Sequence, residues 1–270
     1  MPLTDLVRYF NAADHAGEGT LYLDGGEARA WYAGLGLGSL FEPVVDLSSE
    51  RIVGHRAALS ARGDDGVPIG PESIYAACPT PAAIVQFDRL CRTLHALNFL
   101  AQRRHAGGYL QLAVHPRHLI AVPSQHGLVY EAILKRCGLA PEDIVLEIEV
   151  PAGGLSNPLR QAIDNYRQRG YRLALAWPDA PEADPATLEL QPDIIRLPHD
   201  ADRALLAAAR ERGILIERDG IASGLALAAA RSAGIDLGRG SLFGAAQTLC
   251  RPTHRPPGQP ATPPASGVSE

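Results

Sequence analysis

Lysine is almost absent from this chain. Of its 25 basic residues only Lys135 is a lysine, and the others are arginines. Lys135 lies in the stretch 131–137, whose spacing predicts an amphipathic helix and not the strand-to-helix turn of a phosphate-binding P-loop. A reaction that needs a lysine amine, as a Schiff base or as a general base, would have to use this one residue. We therefore expect no lysine-based catalysis.

Long apolar runs and paired cysteines are absent as well. No stretch approaches the roughly 20 apolar residues that a membrane span requires, and the N-terminus carries charge early and lacks the apolar core of a signal peptide. The four cysteines are widely spaced, which disfavours a disulfide framework and a zinc ribbon and fits a reducing compartment. These absences predict a cytoplasmic protein that does not contact a membrane.

An excess of positive charge is also missing. The formal net charge is -5 and the sequence pI is about 6.0. This charge balance disfavours binding of nucleic acid through the overall electrostatic field of the protein. Only binding through a local patch of arginines stays possible. Hydrophobic residues make up 46% of the chain, which is enough for a sizeable core.

The two ends of the chain differ from its middle. Residues 251–270 contain six prolines and bury too little apolar surface to offset the entropy of ordering, so we expect a disordered tail. Residues 1–37 form a less regular leader segment that we expect to pack on the main domain. The glycines Gly34, Gly36 and Gly38, at and just after its end, precede a strand rather than follow one, which predicts a turn and excludes a dinucleotide-binding loop.

Residues 38–250 alternate between short β-rich runs and amphipathic helical patterns. Such alternation predicts parallel strands with crossover helices, and eight strands in this length predict an α/β fold, a closed (β/α)8 TIM-like barrel. Only residues 47–50 separate the first two strands, too few for a parallel crossover, so we predict a modified barrel with an antiparallel first strand. The predicted strands are 40–46, 51–58, 109–114, 143–150, 171–177, 193–197, 213–217 and 236–243. The predicted helices are 81–106, 125–137, 156–169, 201–212 and 222–233, with a shorter one near 184–190.

An ordered series of motifs in this region resembles the EAL domain family. Residues 41–47 (FEPVVDL) are similar to the family's Q-P-I-V-D-L, and residues 52–60 (IVGHRAALS) are similar to its I-V-G-F-E-A-L-L-R. The resemblance implies the barrel with an antiparallel first strand, and it implies hydrolysis of the second messenger cyclic di-GMP as the family's reaction. Weaker matches follow in the expected order at 110–116, 146–149, 173–180, 191–196, 219–223 and 239–244.

The resemblance also indicates which catalytic groups of the family are missing. Family members bind two Mg²⁺ or Mn²⁺ ions through carboxylate and amide oxygens, and these ions lower the pKa of an attacking water. The glutamate that gives the family its name aligns with Arg56, a permanent cation that repels a metal ion. Glu147 is kept, and Asp219 is shorter than the family's glutamate. Other functional positions of the family align with Ser60, Ala113, Ala176, Trp177, Arg196 and Ala222. We therefore expect no catalytic residue, no metal ion and no cofactor.

Six residues remain candidates for a residual or ligand-binding site at the barrel mouth, and two alternatives stay open for them. In the first, the arginines hold an anion, because a guanidinium suits phosphate bidentately. In the second, they pair with nearby carboxylates, and we predict in particular an ion pair between Arg56 and Glu147. The candidates are Glu147, Asp219, Arg56, Arg196, Arg239 and Glu42.

The nine histidines do not predict a zinc site. His115 and His118 are separated by two residues, but we expect Pro116 to interrupt any helix there. No third ligand follows nearby, so the spacing of a zinc site is not met.

Three functions remain open. Residues that shape the fold, such as Pro43 and Gly54, are kept while metal ligands are lost. The first expectation is therefore a catalytically inactive EAL-like protein that binds another protein in bacterial signalling or motility control, as the resemblance to relatives with degraded sites implies. The second is a metal-independent effector that binds cyclic di-GMP. The third, an active cyclic di-GMP phosphodiesterase, is disfavoured by the missing ligands.

Overall fold

The computed structural model describes residues 2–13, 19–122, 127–151, 154–177, 185–197 and 203–252. The strands in these ranges are β1 (Gly19–Asp24), β2 (Glu27–Tyr32), β3 (Leu35–Asp46), β4 (Arg51–Arg62), β5 (Pro68–Ile69), β6 (Tyr109–Val114), β7 (Ile144–Glu149), β8 (Arg172–Ala176), β9 (Ile194–Arg196), β10 (Leu215–Arg218) and β11 (Leu237–Gly238). The α-helices are α1 (Leu3–Ala13), α2 (Pro71–Ala77), α3 (Pro81–Ala106), α4 (Pro116–Ala121), α5 (Leu128–Cys137), α6 (Asn157–Gln168), α7 (Arg203–Glu211) and α8 (Gly224–Ser232). Short 3-10 helices span Pro141–Asp143 and Pro185–Leu190. None of the described helices has both the length and the apolar character needed to cross a bilayer.

Eight of these strands close into a barrel. Their order is β3-β11-β10-β9-β8-β7-β6-β4, and β4 pairs with β3 to complete the circle. Strand β3 is antiparallel to both of its neighbours in the barrel, whereas the other neighbouring barrel strands are parallel. The predicted TIM-like barrel with an antiparallel first strand is therefore confirmed.

The barrel interior contains an apolar layer below a charged one. Side chains alternate between the two faces of a strand, so β7 places Val145 and then Glu147 on the interior face. Tyr109 fills part of the apolar layer and requires Gly54 beside it, because a Cβ at residue 54 would lie 2.6 Å from the tyrosine ring. Charged side chains thus concentrate at the C-terminal ends of the parallel strands, the barrel mouth. The apolar layer consists of Val44, Tyr109, Val145, Ala174, Ile194 and Leu237.

The chain before the barrel contributes a helix and a β-hairpin. Strands β1 and β2 join at Gly25 and Gly26, which both have positive φ, and β2 pairs with β3 from Leu35 onward. Asn11 of α1 acts as a substitute partner for β1, since its side chain accepts from the N–H of Leu21 (2.8 Å) and donates to the carbonyl of Leu21 (2.6 Å). An open sheet edge has unpaired backbone groups that can pair with another chain. The Asn11 amide occupies these groups at Leu21 and so protects the middle of the β1 edge from such pairing.

Three local expectations were wrong. Gly36 and Gly38 lie inside β3 and not in a turn, because their missing side chains leave room for side chains of β2. Pro116 does not interrupt a helix but begins α4, at the first helical position, where a missing N–H breaks no hydrogen bond. The run 236–243 forms only the short strand β11 before the backbone turns away from the sheet.

The predicted segment boundaries at residues 37 and 250 stay predictions. Strand β3 of the barrel begins before the first boundary, at Leu35. We expected a disordered tail over residues 251–270. Residues 253–270 lie outside the described ranges.

Candidate functional site

The six candidate residues all lie around the barrel mouth. The parallel strands end there, and β3, which runs the other way, places Glu42 directly opposite Arg56 of β4. Glu147 belongs to β7 and Arg196 to β9, while Asp219 and Arg239 directly follow β10 and β11. The fold therefore brings together side chains that are far apart in sequence.

Arg56 and Glu147 form a bidentate ion pair. Nε of Arg56 donates to Oε2 at 3.1 Å and Nη2 donates to Oε1 at 3.0 Å, the fork geometry that makes arginine–carboxylate pairs strong. Ala113 of β6 lies beside Glu147 in the sheet and takes up little space there. Arg196 adds a longer contact to Oε1 of Glu147 (3.4 Å) and a shorter one to Oδ2 of Asp219 (2.9 Å). The predicted pair is confirmed, and a second arginine shares it.

Arg239 contacts three carboxylates on the opposite side of the mouth. Its Nε lies 2.5 Å from Oε1 of Glu217, and Nη1 lies 2.6 Å from Oε2 of Glu42. Nη2 reaches Oδ2 of Asp219 at 3.5 Å. Because Arg239 and Glu217 are both buried, each compensates the charge of the other where water does not reach.

Gln111 joins the two halves of the mouth. Its Nε2 donates to Oε2 of Glu147 at 2.7 Å and to Oε2 of Glu217 at 3.1 Å. Sequence reasoning missed Gln111 and Glu217. The signal that could have found them is a polar residue within or directly after an apolar run, since Gln111 interrupts the run of β6 and Glu217 follows the apolar residues 214–216. The contacts now form a closed ring, which we call the mouth network, with Arg56 and Glu42 attached to it. The ring members are Glu147, Gln111, Glu217, Arg239, Asp219 and Arg196.

Three charged groups at the barrel mouth have shifted pKa values. Burial by itself would raise the pKa of Glu147, but Arg56 and Arg196 outweigh it and hold this pKa well below the usual range. The Glu147 carboxylate in turn raises the pKa of Arg56. Burial would lower the pKa of Arg239, and the carboxylate of Glu217 reverses that effect. Glu147, Arg56 and Arg239 are therefore not poised to exchange a proton near neutral pH.

The donor set does not fit two bound metal ions. Both oxygens of Glu147 already accept hydrogen bonds from guanidinium or amide groups. Arg56 places a positive charge where the resemblance puts a metal-binding glutamate, and Ala113 and Ala176 offer no oxygen donor in their side chains. Among the described residues, no group of three His, Cys, Asp or Glu side chains is arranged to hold a metal ion.

A cavity of about 340 Å³ opens beside the mouth network, between the ends of β4, β6 and β7 and helices α2 and α3. Arg56 and Arg196 line one side of it, and His95 and His115 line other parts. Burial, followed by the charge of Arg56, lowers the pKa of His95 to about 4, so this imidazole is neutral at physiological pH. Arg92 and the carboxylates of Glu72, Glu147 and Glu149 line the cavity as well, so it contains three guanidiniums and three carboxylates.

Comparison with known proteins gives one family. The model of the EAL domain matches residues 35–246, which is most of the chain. Comparison with curated protein sequences gave no significant match.

Solved structures of EAL proteins share the fold at low sequence identity. The EAL enzyme Bd1971, in its cAMP-bound form, is 12% identical with a TM-score of 0.65, over 91% of this chain and 68% of that one. BlrP1 of Klebsiella pneumoniae, in a complex with calcium and cyclic di-GMP, is 19% identical with a TM-score of 0.64, over 80% of this chain and 58% of that one.

A standalone EAL protein from Vibrio cholerae O395, bound to cyclic di-GMP, is 16% identical with a TM-score of 0.59, over 78% of this chain and 92% of that one. This chain spans less than two thirds of the length of BlrP1. At these identities the likeness shows the fold alone. The family match and the barrel with its antiparallel strand agree, and this chain belongs to the EAL domain family.

Proposed function

We propose that this chain is a non-catalytic member of the EAL family that acts in bacterial signalling, including motility control, by binding another protein. The observation that carries the proposal is the bidentate contact of Arg56 with Glu147. The family's reaction requires hard cations at this place, and a guanidinium there repels them and occupies the carboxylate that would bind them.

The remaining carboxylates of the mouth do not restore a metal site. Glu42, Glu217 and Asp219 all contact Arg239, and Asp219 also contacts Arg196. A cation would have to displace guanidiniums from every one of these groups. Each displaced contact costs kilocalories, and every ~1.4 kcal/mol lowers an affinity or a rate tenfold.

A second candidate function is binding of cyclic di-GMP without cleavage. Its support is the cavity of about 340 Å³, because the guanidiniums of Arg56 and Arg196 line it and suit a phosphodiester. Three glutamates, Glu72, Glu147 and Glu149, line the same cavity and weigh against an anion there. Several solved structures with this fold are complexes with cyclic di-GMP. Ser60 and Glu42, which stand where the family has Arg and Gln, weigh against a close fit of the dinucleotide.

The two candidates separate in one pair of measurements on the full chain. Incubation with cyclic di-GMP and Mn²⁺, followed by chromatography, is expected to yield no linear dinucleotide. Steady hydrolysis that Glu147→Ala abolishes would overturn the proposal and identify an active phosphodiesterase. Calorimetry with cyclic di-GMP in the absence of divalent ions then distinguishes the remaining functions, since micromolar or tighter binding that Arg196→Ala weakens would favour the effector.

A further inference from the structure

The β-hairpin before the barrel exposes two aromatic side chains on one face. Tyr22 of β1 is 40% exposed and Trp31 of β2 is 43% exposed. Tyr22 pairs directly with Arg29, and Arg29 and Trp31 are two residues apart on β2, so the three side chains share a face of the sheet. Tyr22 and Trp31 are therefore diagonal neighbours, with backbones about 7–8 Å apart. Adjacent exposed aromatic rings of this kind mark an interaction site.

Glycines of β3 make this face flat. The ring of Trp31 lies beside Gly36, where a Cβ would be 3.6 Å from the indole. The guanidinium of Arg29 lies over Gly38, where a Cβ would be 3.3 Å from its central carbon, and Glu27 holds it there at 2.9 Å. Both side chains can thus lie along the sheet instead of standing up from it. The hairpin platform, as we call this face, consists of Tyr22, Arg29 and Trp31.

The hairpin platform also has free hydrogen-bond donors. Within the described ranges, neither the indole N–H of Trp31 nor the hydroxyl of Tyr22 has a hydrogen-bond partner in the protein. A polyproline II helix has no internal hydrogen bonds, so its carbonyl groups are free to accept. Aromatic surfaces whose rings carry an N–H or O–H donor are the surfaces that bind such helices. The hairpin platform therefore fits a proline-rich segment.

The chain itself contains such a segment. Pro257, Pro260 and Pro263 recur every three residues, and we call them the proline stripe. A polyproline II helix has three residues per turn, so these prolines would lie on one side of it, about 9 Å apart. That interval is comparable with the spacing of the two platform aromatics. A segment too poor in apolar residues to form its own core can still bind a preformed surface, and a proline-rich one loses little conformational entropy on binding.

The chain leaves the barrel beside the hairpin. Gln247 exchanges two backbone hydrogen bonds with Phe41 of β3, at 2.6 and 3.0 Å. Strand β4 occupies one edge of β3, so Gln247 lies on the same edge as β2, whose pairing with β3 extends to Leu37. The four residues between these two contacts span about 14 Å. Cys250, which Gln102 holds at 2.7 Å, precedes the proline stripe by seven residues, and seven residues of polyproline II span about 22 Å. The stripe can therefore reach the hairpin platform.

We propose that residues 253–264 bind the hairpin platform of the same molecule as a polyproline II helix, with the proline stripe against Tyr22 and Trp31. The inference goes beyond the proposed function and does not depend on it, since no residue of the mouth network takes part. Gly38 and Glu42 lie on the same face of β3, so the platform continues the side of the sheet that faces the mouth. The bound segment would thus border the entrance to the barrel.

Tryptophan fluorescence of the full chain tests the contact. The chain has two tryptophans, and Trp177 is only 2% exposed, so quenching by acrylamide reports on Trp31. We expect the stripe variant, with Pro257→Ala, Pro260→Ala and Pro263→Ala together, to raise the quenching constant about twofold or more. The reason is that a tethered segment, at an effective concentration of about millimolar, covers the ring for most of the time. Equal quenching of the stripe variant and the parent would overturn the proposal.

The matched control removes as many prolines from outside the stripe. Pro252→Ala, Pro256→Ala and Pro264→Ala together leave the three-residue repeat intact, so this variant should quench like the parent. Equal effects of the two triple variants would mean that overall proline content, and not the stripe, protects Trp31, which contradicts the proposal.

A substitution on the hairpin tests the location. Tyr22→Ser removes one platform ring and is expected to raise the quenching of Trp31 in the parent but not in the stripe variant, where the segment is already released. Additive effects would show that Tyr22 shields Trp31 directly and would contradict the proposal. The control is Leu23→Ser, a 36% exposed residue on the opposite face of the same strand, which should leave quenching unchanged.

A synthetic peptide and a dilution series distinguish the chain's own segment from other occupants. A peptide of residues 253–264, at a few millimolar, is expected to restore parental quenching in the stripe variant, and the same peptide with the three alanines is not. No restoration by the first peptide would overturn the proposal. The quenching constant of the parent is expected to stay constant over about a hundredfold dilution, because an intramolecular contact does not depend on concentration. Protection that dilution removes would mean that a second copy supplies the segment, which contradicts the proposal.

Discussion

The molecule contains two clusters of buried charge that are built in different ways. In the first, the mouth network, strands that are distant in sequence supply the partners, so Arg56 and Glu147 lie 91 residues apart. In the second, which we call the Asp88 cluster, neighbouring helices supply them. Asp88 of α3 accepts from Nε of Arg92 (2.8 Å) and lies beside His118 of α4 (3.2 Å).

The Asp88 cluster is dry and locally determined. Tyr75 donates its hydroxyl to Asp88 at 3.0 Å, and the N–H of His115, at the start of α4, donates at 3.2 Å. Asp88 and Arg92 are spaced as adjacent turns of one helix, and both are buried. One carboxylate therefore joins α2, α3 and α4, which is a structural role.

The mouth network is partly open to water. The side chain of Arg56 is 25% exposed and that of Asp219 is 43% exposed. A charged group at the end of a barrel strand is normally available for chemistry, because the active sites of such barrels lie there. Ion pairing between buried arginines and carboxylates thus joins helices in the Asp88 cluster, whereas at the barrel mouth, by our proposal, it replaces metal binding.

The largest effect is expected in the Asp88 cluster. Asp88→Ala leaves Arg92 buried without its carboxylate and removes the acceptor of Tyr75, so we expect a loss of about 4 kcal/mol in the free energy of unfolding. Urea denaturation measures it. The control is Asp5→Ala, whose exposed carboxylate lies 4.0 Å from Arg8 and should contribute less than about 0.5 kcal/mol. A loss in Asp88→Ala as small as that of the control would contradict the structural role.

Glu147→Gln is expected to cost less, about 2 kcal/mol. Arg56 can turn to water, and Arg196 keeps Asp219, so neither guanidinium is stranded. Glu149→Gln is the matched control, because the same strand carries this exposed glutamate two residues further on. Equal stability of the two variants in urea denaturation would mean that the mouth network does not stabilise the barrel.

The dependence of stability on pH is expected to show a smaller effect, which both clusters share. A carboxylate whose pKa is lowered in the folded protein adds stability above its ordinary pKa, and this stability is lost as the pH falls toward the folded value. Burial opposes the lowering for both Glu147 and Asp88, but their arginine partners outweigh it. The free energy of unfolding should therefore decline as the pH drops below 4.5, the ordinary value for Glu147.

The share of Glu147 in that decline can be isolated. Glu147→Gln removes one of the titrating groups, so its stability should fall less steeply with decreasing pH than that of the parent, while Glu149→Gln should follow the parent. Denaturation at a series of pH values measures the three slopes. Identical slopes for the parent and Glu147→Gln would show that Glu147 is not held charged by its arginines.

The barrel was predictable because its strands are short and regularly alternate with helices. The spacing predicted helix 81–106 with the bounds of α3, and the four residues between β3 and β4 required an antiparallel pair. The hairpin β1–β2 was missed, although Gly25 and Gly26 between two β-rich runs are a hairpin signal. The contact of Asn11 with the edge of β1 did not follow from the sequence, because it joins a helix side chain to the backbone of a strand ten residues away.

The candidate site was predictable in part. Motif alignment found Arg56 and Glu147 because both fall in motifs with a fixed spacing. It missed Glu217 and Gln111, which are 106 residues apart and meet only because the barrel closes. Register across a closed barrel is a property of the whole sheet, so pairwise contacts in its interior do not follow from local sequence.

The central claim is that arginines stand at the barrel mouth where metal ions would bind. Titration of the full chain with Mn²⁺ in a calorimeter tests this claim most directly. We expect no saturable heat at millimolar Mn²⁺, and no difference between the parent and Glu147→Gln. A saturable site that Glu147→Gln removes would contradict it, because the carboxylate of Glu147 would then bind a cation in spite of Arg56.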